Sequence, residues 1–398
     1  MPLPYYLTWT AQAQAVTLPV VGARESYFVL GDGREVEDLV STSFQASFGH
    51  SAEAILAPMR RQLEASCVAF AKATSPQKRV ESERLLAALG LGGGRIFYTV
   101  SGAEAIENAL KMARQFRARP LVAARERSYH GASLGALSVT GDWRREGHFL
   151  PEGWTLRIPE PHDDPEGEGA RERFLEAGPE RIAALCVETV SGANGVIVPP
   201  SSWWRAMRTL CDDFGILLVL DEVVCGFGRT GKTFGFQHED LRPDMVCLAK
   251  AISGGYVPFG ALWTSEAIAQ FYERQTLSCG LTNYAHPLGL AAMSGVLDLL
   301  DDPAFHAAQE SASQSFDRQL QALAARPYVR ALRHIGMLAA LDLEIQGMER
   351  AWPLLVQAGV HVLVKGQSLI LAPPLNIAAP RLEAAMATLL RGLDALAA

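Results

Sequence analysis

Three ionisable residues each stand directly behind a short apolar run: Glu188 follows Cys186-Val187, Asp221 follows Val219-Leu220, and Lys250 follows Leu248-Ala249. If those runs are parallel strands, the three charges lie at carboxyl ends, where ligands bind in open α/β sheets, and converge on one crevice. A single such charge is equally explained by a strand re-entering solvent; the joint occurrence is what points to a site. A fourth strand end adds an anion cradle. Arg95–Val100 runs into Ser101-Gly102-Ala103-Glu104. There the Ser101 hydroxyl can accept from the Glu104 amide while the Glu104 carboxylate accepts from the Ser101 amide. The N–H groups of Gly102 and Ala103 stay free at the positive end of the helix that Ala105, Ile106, Ala109, Leu110 and Ala113 predict. Amine, carboxylate, phosphate cradle and the flat ring of Tyr129 together meet the needs of pyridoxal phosphate. Lys250 supplies the amine for a Schiff base, Asp221 a carboxylate for the protonated pyridine nitrogen, and Tyr129 a face for the ring. Displaced by a substrate amine, Lys250 is also placed to move the substrate proton.

These groups need a frame. Arg95–Val100, Leu121–Ala124, Ile182–Val187, Ile216–Leu220 and Met245–Ala249 read as short strands with helical patterns between several of them. That alternation predicts an α/β fold built on a large, doubly wound, mainly parallel sheet. Glu53 to about Leu89 carries helical spacing and stops at Gly90 and the Gly92-Gly93-Gly94 run. Gly31-Asp32-Gly33 signals a small N-terminal hairpin, and residues 159–170, rich in Pro, Gly and Asp, read as a surface loop. From about Leu290 a long helical region leads into an α+β tail. The expected division is an N-terminal segment 1–48 joining a small domain, a large cofactor-binding domain 49–290, and a small α+β domain 291–398.

Four ordered stretches closely resemble the class III (ω-type) aminotransferases of pyridoxal-phosphate fold type I: Ser101 through Ala105, Tyr129-His130-Gly131, Leu220 through Gly231, and Pro243 through Gly255. The likeness extends from Gly49-His50 to Ala372-Pro373-Pro374-Leu375. It implies a ping-pong aminotransferase that moves nitrogen from a primary amine, at a terminal position, to an oxo acid such as pyruvate or 2-oxoglutarate. Carried over position by position, Gly102 and Ala103 would give amides to the phosphate and Tyr129 would stack on the ring. Asp221 would pair with the ring nitrogen, Val223 would pack on the opposite face, and Lys250 would carry the cofactor. Glu188 would order the substrate side, and Thr282 would reach the phosphate across a homodimer interface. Two positions depart from the pattern. Val224 stands where many relatives have glutamine, and Ile370 stands where relatives that clamp an α-carboxylate place an arginine, which favours pyruvate as acceptor.

Composition narrows the alternatives. With 36 Lys+Arg against 43 Asp+Glu the net charge is −7, which argues against a general nucleic-acid binder. Ile216–Leu220, the strongest apolar run, is far short of the ~20 residues that span a bilayer. The N-terminus lacks the regions of a secretory signal, so a cytoplasmic protein is expected. The 6 cysteines form no C-x-x-C, and neither a metal site nor a disulfide framework is indicated. Trp9 is either an entrance aromatic or a partner contact, His130 either faces the ring or is structural, and Arg144-Arg145 reads as a solvated pair. Trp203-Trp204 reads as packing a helix start and Cys225 as a buried filler. An aminomutase or racemase of the same fold stays open. A catalytically silent binding protein is the remaining alternative, opposed by the presence of both Lys250 and Asp221.

Overall fold

Alternation within the apolar runs decides where the core lies. In the computed structural model, which describes residues 3–398, β1 (Val20–Arg24), β2 (Tyr27–Leu30) and β3 (Glu35–Asp38) form an antiparallel meander. The β2–β3 turn passes through Gly33 at φ 85°, a backbone state that glycine adopts without strain. Two helices follow, α1 (Glu53–Ala65) and α2 (Pro76–Leu89), where the spacing predicts one. The break has a local cause: Ser75 caps the second helix by accepting from the Lys78 amide at 3.1 Å, and Pro76 lacks the N–H that a continuing helix would require.

The central sheet comprises β4 (Arg95–Thr99), β5 (Leu121–Arg125), β6 (Thr155–Ile158), β7 (Ile182–Glu188), β8 (Leu217–Asp221), β9 (Met245–Leu248) and β10 (Gly260–Thr264). Their order is β4-β10-β9-β8-β7-β5-β6, and only β10 runs against its neighbours. Both faces are covered, which is why the inner strands read as unbroken apolar runs. Leu185, Val187, Leu218, Leu220, Val246 and Leu248 pack with Trp203 and Trp204 of the helix Ser201–Phe214. Ala184, Cys186, Leu217, Val219, Met245 and Cys247 face the other way, onto Ala105, Ile106, Ala109 and Ala113 of α3 (Gly102–Arg117). Each large side chain so buried contributes roughly 1.5–3 kcal/mol of hydrophobic stabilisation before entropy is counted.

Beyond the sheet, helices Pro287–Asp301 and Pro303–Ala324 meet at Asp302, whose carboxylate accepts from the Ala304 amide at 2.9 Å. Strands β11 (Val329–Ile335) and β12 (Leu338–Leu343) then begin a second antiparallel sheet. After β13 (Val360–His361), β14 (Leu363–Lys365) and β15 (Ser368–Leu371) complete it in the order β11-β12-β15-β14. Strand β13 departs to pair in parallel with β3, Val360 opposite Glu37. Residues 159–170 are turns only as far as Gly167, where the helix Glu168–Ala177 begins. No helix among the described residues is long and apolar enough to cross a membrane.

Candidate active site

Strands β4, β5, β7, β8 and β9 point the same way, so their carboxyl ends open on one edge of the sheet. The chain leaving each strand delivers one group there: Ser101 after β4, Tyr129 after β5, Glu188 on β7, Asp221 on β8 and Lys250 after β9. All five line a cavity of about 680 Å³, together with Gly102, Ala103, Val223 and Val224. Glu188 and Asp221 are register partners. They follow Cys186 and Val219 by two residues, so the two-residue period turns both carboxylates to the α3 face of the sheet.

The start of α3 is built as an anion cradle. Ser101 accepts from the Glu104 amide at 3.2 Å, as the sequence predicts. The return bond differs: the Glu104 carboxylate accepts from the Val100 amide at 2.9 Å and not from that of Ser101. The chain enters the helix from an extended Ser101, which brings the Val100 N–H within reach. A Cβ on Gly102 would lie 3.0 and 3.1 Å from the two Val223 methyls, so a larger residue at the helix start would have to displace that side chain by a few tenths of an ångström.

The acids are held by different partners. Asp221 Oδ2 lies 2.8 Å from His130 Nδ1, and Oδ1 accepts from the Val223 amide at 3.0 Å. His130 Nε2 is buried without a partner. Glu188 Oε2 accepts from Ser191 Oγ at 2.9 Å and from Arg125 Nη2 and the Tyr129 amide at 3.3 Å. Burial pushes the Glu188 carboxyl up, opposed by the Arg125 and His130 charges. Burial pushes the Lys250 amine down, and the nearby Asp221 and Glu188 offset part of this. Lys250 also holds a left-handed backbone at φ 50°, strain of order 1–3 kcal/mol that the surrounding fold must impose.

One wall comes from an unusual turn. Ser41, Thr42, Ser43 and Phe44 are consecutive non-glycine residues with φ of 48°, 48°, 62° and 73°, each costing roughly 1–2 kcal/mol in isolation. Asp38 restrains the turn by accepting from the Thr42 amide at 2.7 Å and the Thr42 hydroxyl at 2.9 Å. The buried Arg229 guanidinium donates to Ser41 and Ser47 hydroxyls and to the Met337 and Pro373 carbonyls. The result places Ser43, Phe44 and Gln45 on the cavity, with Lys250 Nζ 5.2 Å from the Phe44 ring centre.

Among the other residues the sequence singles out, Arg144 stands elsewhere than expected. Arg144 is no solvated cation: its side chain is 14% exposed and lines the cavity, while Arg145 is exposed. Trp9 also lines it, edge-on to Tyr129 with ring centres 5.9 Å apart. Thr282 is exposed and outside the cavity of a single chain. Ile370 is buried in an apolar cluster with Val40, Phe44 and Ala372, so no charged group occupies that place. Cys225 is a buried thiol donating to the Val190 carbonyl at 3.2 Å.

Pyridoxal phosphate fits this set. The glycine gap at Gly102 and the free first-turn donors of α3 suit a phosphate, Asp221 is a buried carboxylate fixed by two donors, Tyr129 and Val223 offer faces, and Lys250 offers the amine. A family model for class III aminotransferases matches residues 9–393. The acetylornithine aminotransferase of Methanopyrus kandleri is 32% identical over 98% of this chain and 97% of its own length. The diaminobutyrate–2-oxoglutarate transaminase of Halomonas elongata is 30% identical over 83% of this chain and 77% of its own. Among solved structures, the taurine:2-oxoglutarate aminotransferase of Bifidobacterium kashiwanohense, in complex with PLP and glutamate, gives a TM-score of 0.92 at 29% identity, covering 98% of this chain and 95% of that one. With its fold, its site and these relatives in agreement, the chain belongs to the class III aminotransferases, pyridoxal-phosphate-dependent enzymes of fold type I.

Proposed function

We propose that amino-group transfer takes place in the cavity at the carboxyl edge of the central sheet, with a terminal primary amine as donor and an oxo acid as acceptor. The observation that carries this reading is the convergence of Lys250, Asp221, Glu188, Tyr129 and the α3 N-terminus on one cavity. When bound, pyridoxal phosphate supplies an aldehyde for the amine and a ring that holds the electrons released with the Cα proton. Gly102 and Ala103 would hold the phosphate, Tyr129 and Val223 would flank the ring, and Asp221 would partner the ring nitrogen. Lys250 Nζ would bind the aldehyde and carry the substrate proton, a task favoured by burial that pushes the amine below its ordinary value. Glu188, braced by Arg125, orients the substrate side.

Acetylornithine, diaminobutyrate, putrescine and taurine, named for the relatives, all present a primary amine at a chain end, which supports the donor class. Thr282 would serve the phosphate of a second copy in a homodimer; its exposure outside the single-chain cavity is compatible with that role, as are the exposed Leu63, Val68 and Phe70. The pairing of β3 with β13 supports joining segment 1–48 to a C-terminal unit 291–398, with 49–290 as the cofactor-binding unit. Cytoplasmic residence is supported by 6 cysteines that are all unpaired.

Mixing the purified holoenzyme with a panel of diamines and ω-amino acids should convert its absorbance to that of the pyridoxamine form, and pyruvate or 2-oxoglutarate should reverse the change. A spectrum indifferent to every donor would refute the reading, and isomerisation of one substrate without an acceptor would replace it with an aminomutase or racemase.

A further inference from the structure

The helix Leu134–Val139 has 6 residues, far short of the ~12–15 that a helix needs to be stable in isolation. A charged side chain meets each of its ends. At the amino end Glu107, which belongs to α3, accepts from the Gly135 amide at 3.2 Å, the Ala136 amide at 3.0 Å and the Ser133 hydroxyl. At the carboxyl end Arg157, on β6, donates to the Ser138, Val139 and Thr140 carbonyls at 2.6, 2.8 and 2.7 Å, and to that of Arg125 at 3.0 Å. An anion at the amino end and a cation at the carboxyl end both complement the helix dipole, and they partner backbone groups that a helix leaves open. The helix in turn carries the segment at the cavity. Thr140 Oγ1 accepts from the His130 amide at 3.0 Å while donating to the Ala136 carbonyl at 3.0 Å. Ser128 Oγ donates to the Val139 carbonyl at 3.0 Å, and the Ser128 carbonyl accepts from the Gly141 amide at 3.0 Å. Tyr129 and His130 therefore lie in a stretch fixed to the helix. Gly131 seats that stretch against the start of α3: a Cβ there would lie 2.6 Å from that of Ala103.

We propose that Glu107 and Arg157 are positioning residues which, by clamping the two ends of this helix, set the Tyr129–His130 turn against the cofactor ring. The proposal rests on the reading that the ring lies between Tyr129 and Val223, and it names what holds one of those faces in place. Neither residue lines the cavity, so both act through the turn. Glu107 projects from the same helix whose first amides face the phosphate, and it thereby links the height of the Tyr129 ring to the phosphate cradle. Removing either charge frees one end of a helix too short to hold itself, and the turn loses its seat on Ala103.

Visible circular dichroism of the holoenzyme reads the asymmetry that the surroundings impose on the cofactor ring, and it needs no turnover. Glu107→Ala and Arg157→Met should each weaken that signal, while Glu107→Gln, which keeps an acceptor, and Arg157→Lys, which keeps the charge, should retain part of it. The amine half-reaction with putrescine should slow by about tenfold in Glu107→Ala and in Arg157→Met, within the range for residues that share one network. A double-mutant cycle separates positioning from general support of the fold. With Tyr129→Ala and His130→Phe already in place, the same substitutions should cost less than about twofold, because the groups they place are gone. Equal losses in both backgrounds, or dichroism unchanged in Glu107→Ala and Arg157→Met, would overturn the assignment. Should Glu107→Ala not fold, Glu107→Gln enters the same cycle and is judged by the same two outcomes. Conversion of no amine by the wild type would sink the transaminase reading, while dichroism still decided the role of Glu107 and Arg157.

Discussion

Asp221 Oδ2 lies 2.8 Å from His130 Nδ1, and both side chains are shut off from solvent. A carboxylate oxygen accepts, so His130 donates to it from Nδ1 and fixes where the acid points. With the Val223 amide on the other oxygen, the carboxylate cannot rotate away from the cavity. We expect Asp221→Asn to lower the amine half-reaction by ~10²- to 10³-fold, the cost of removing an electrostatic stabiliser from a buried site. His130→Phe should cost about tenfold, in keeping with a positioning role at the low end of such effects. Wild-type rates in His130→Phe would reduce the histidine to packing.

Lys250→Ala should lower turnover by more than ~10³-fold while the cofactor still binds through its phosphate. Borohydride reduction followed by peptide mass mapping should fix cofactor to the Lys250 peptide of the wild type and to no peptide of the variant. Since burial lowers the amine below its ordinary value of 10.5, the neutral form prevails from a lower pH upward. The rate of cofactor attachment to the apoprotein should therefore rise with pH and level off below 10.5; a midpoint at or above that value would contradict the assignment.

Gly102→Ala addresses the phosphate cradle. The added methyl would lie 3.0 Å from a Val223 methyl, forcing the helix start and that side chain apart. Cofactor affinity should fall by about tenfold, the equivalent of ~1.4 kcal/mol, with little change in the melting temperature of the apoprotein. Titration of the apoprotein with cofactor, alongside thermal melts, separates the two effects.

Glu222 predicts a pH dependence of stability. Burial pushes its carboxyl up to about 7, against the pull of the Thr189 hydroxyl and the Gly235 and Phe236 amides. Between the unfolded value of 4.5 and about 7 the folded chain holds a proton that the unfolded chain has released. The stabilisation from this group is complete below that window and is lost as pH rises through it, by at most ~3 kcal/mol. Urea midpoints at pH 5 and pH 8 should show the wild type losing ground relative to Glu222→Gln as pH rises; parallel behaviour would refute this.

Legibility in the sequence followed burial. The strands at the heart of the sheet, buried on both faces, announce themselves as apolar runs, and the ionisable residues ending them mark the cavity edge. Strand β6 is a half-buried edge with no unbroken apolar run; β10 is the exception, buried throughout, but it opens on Gly260 just behind Gly254-Gly255 and Pro258, which read as a loop. The capping geometry of α3 was readable in kind and displaced by one residue in detail, because the extended entry of Ser101 is a tertiary matter. Arg144 looked like half of a solvated pair because its setting is assembled from Trp9, Tyr129 and Lys365, three distant parts of the chain. No local pattern encodes such a meeting.

The left-handed turn at Ser41–Phe44 is tied by Arg229 to Met337 and Pro373, near the far end of the chain. On the ribosome, where folding proceeds from the N-terminus, the strands of the central sheet have all emerged once Thr264 has, yet the Phe44 wall must wait for Pro373. The newborn chain thus owns every reactive group long before it owns a closed chamber, and competence waits on the segment that carries Pro373.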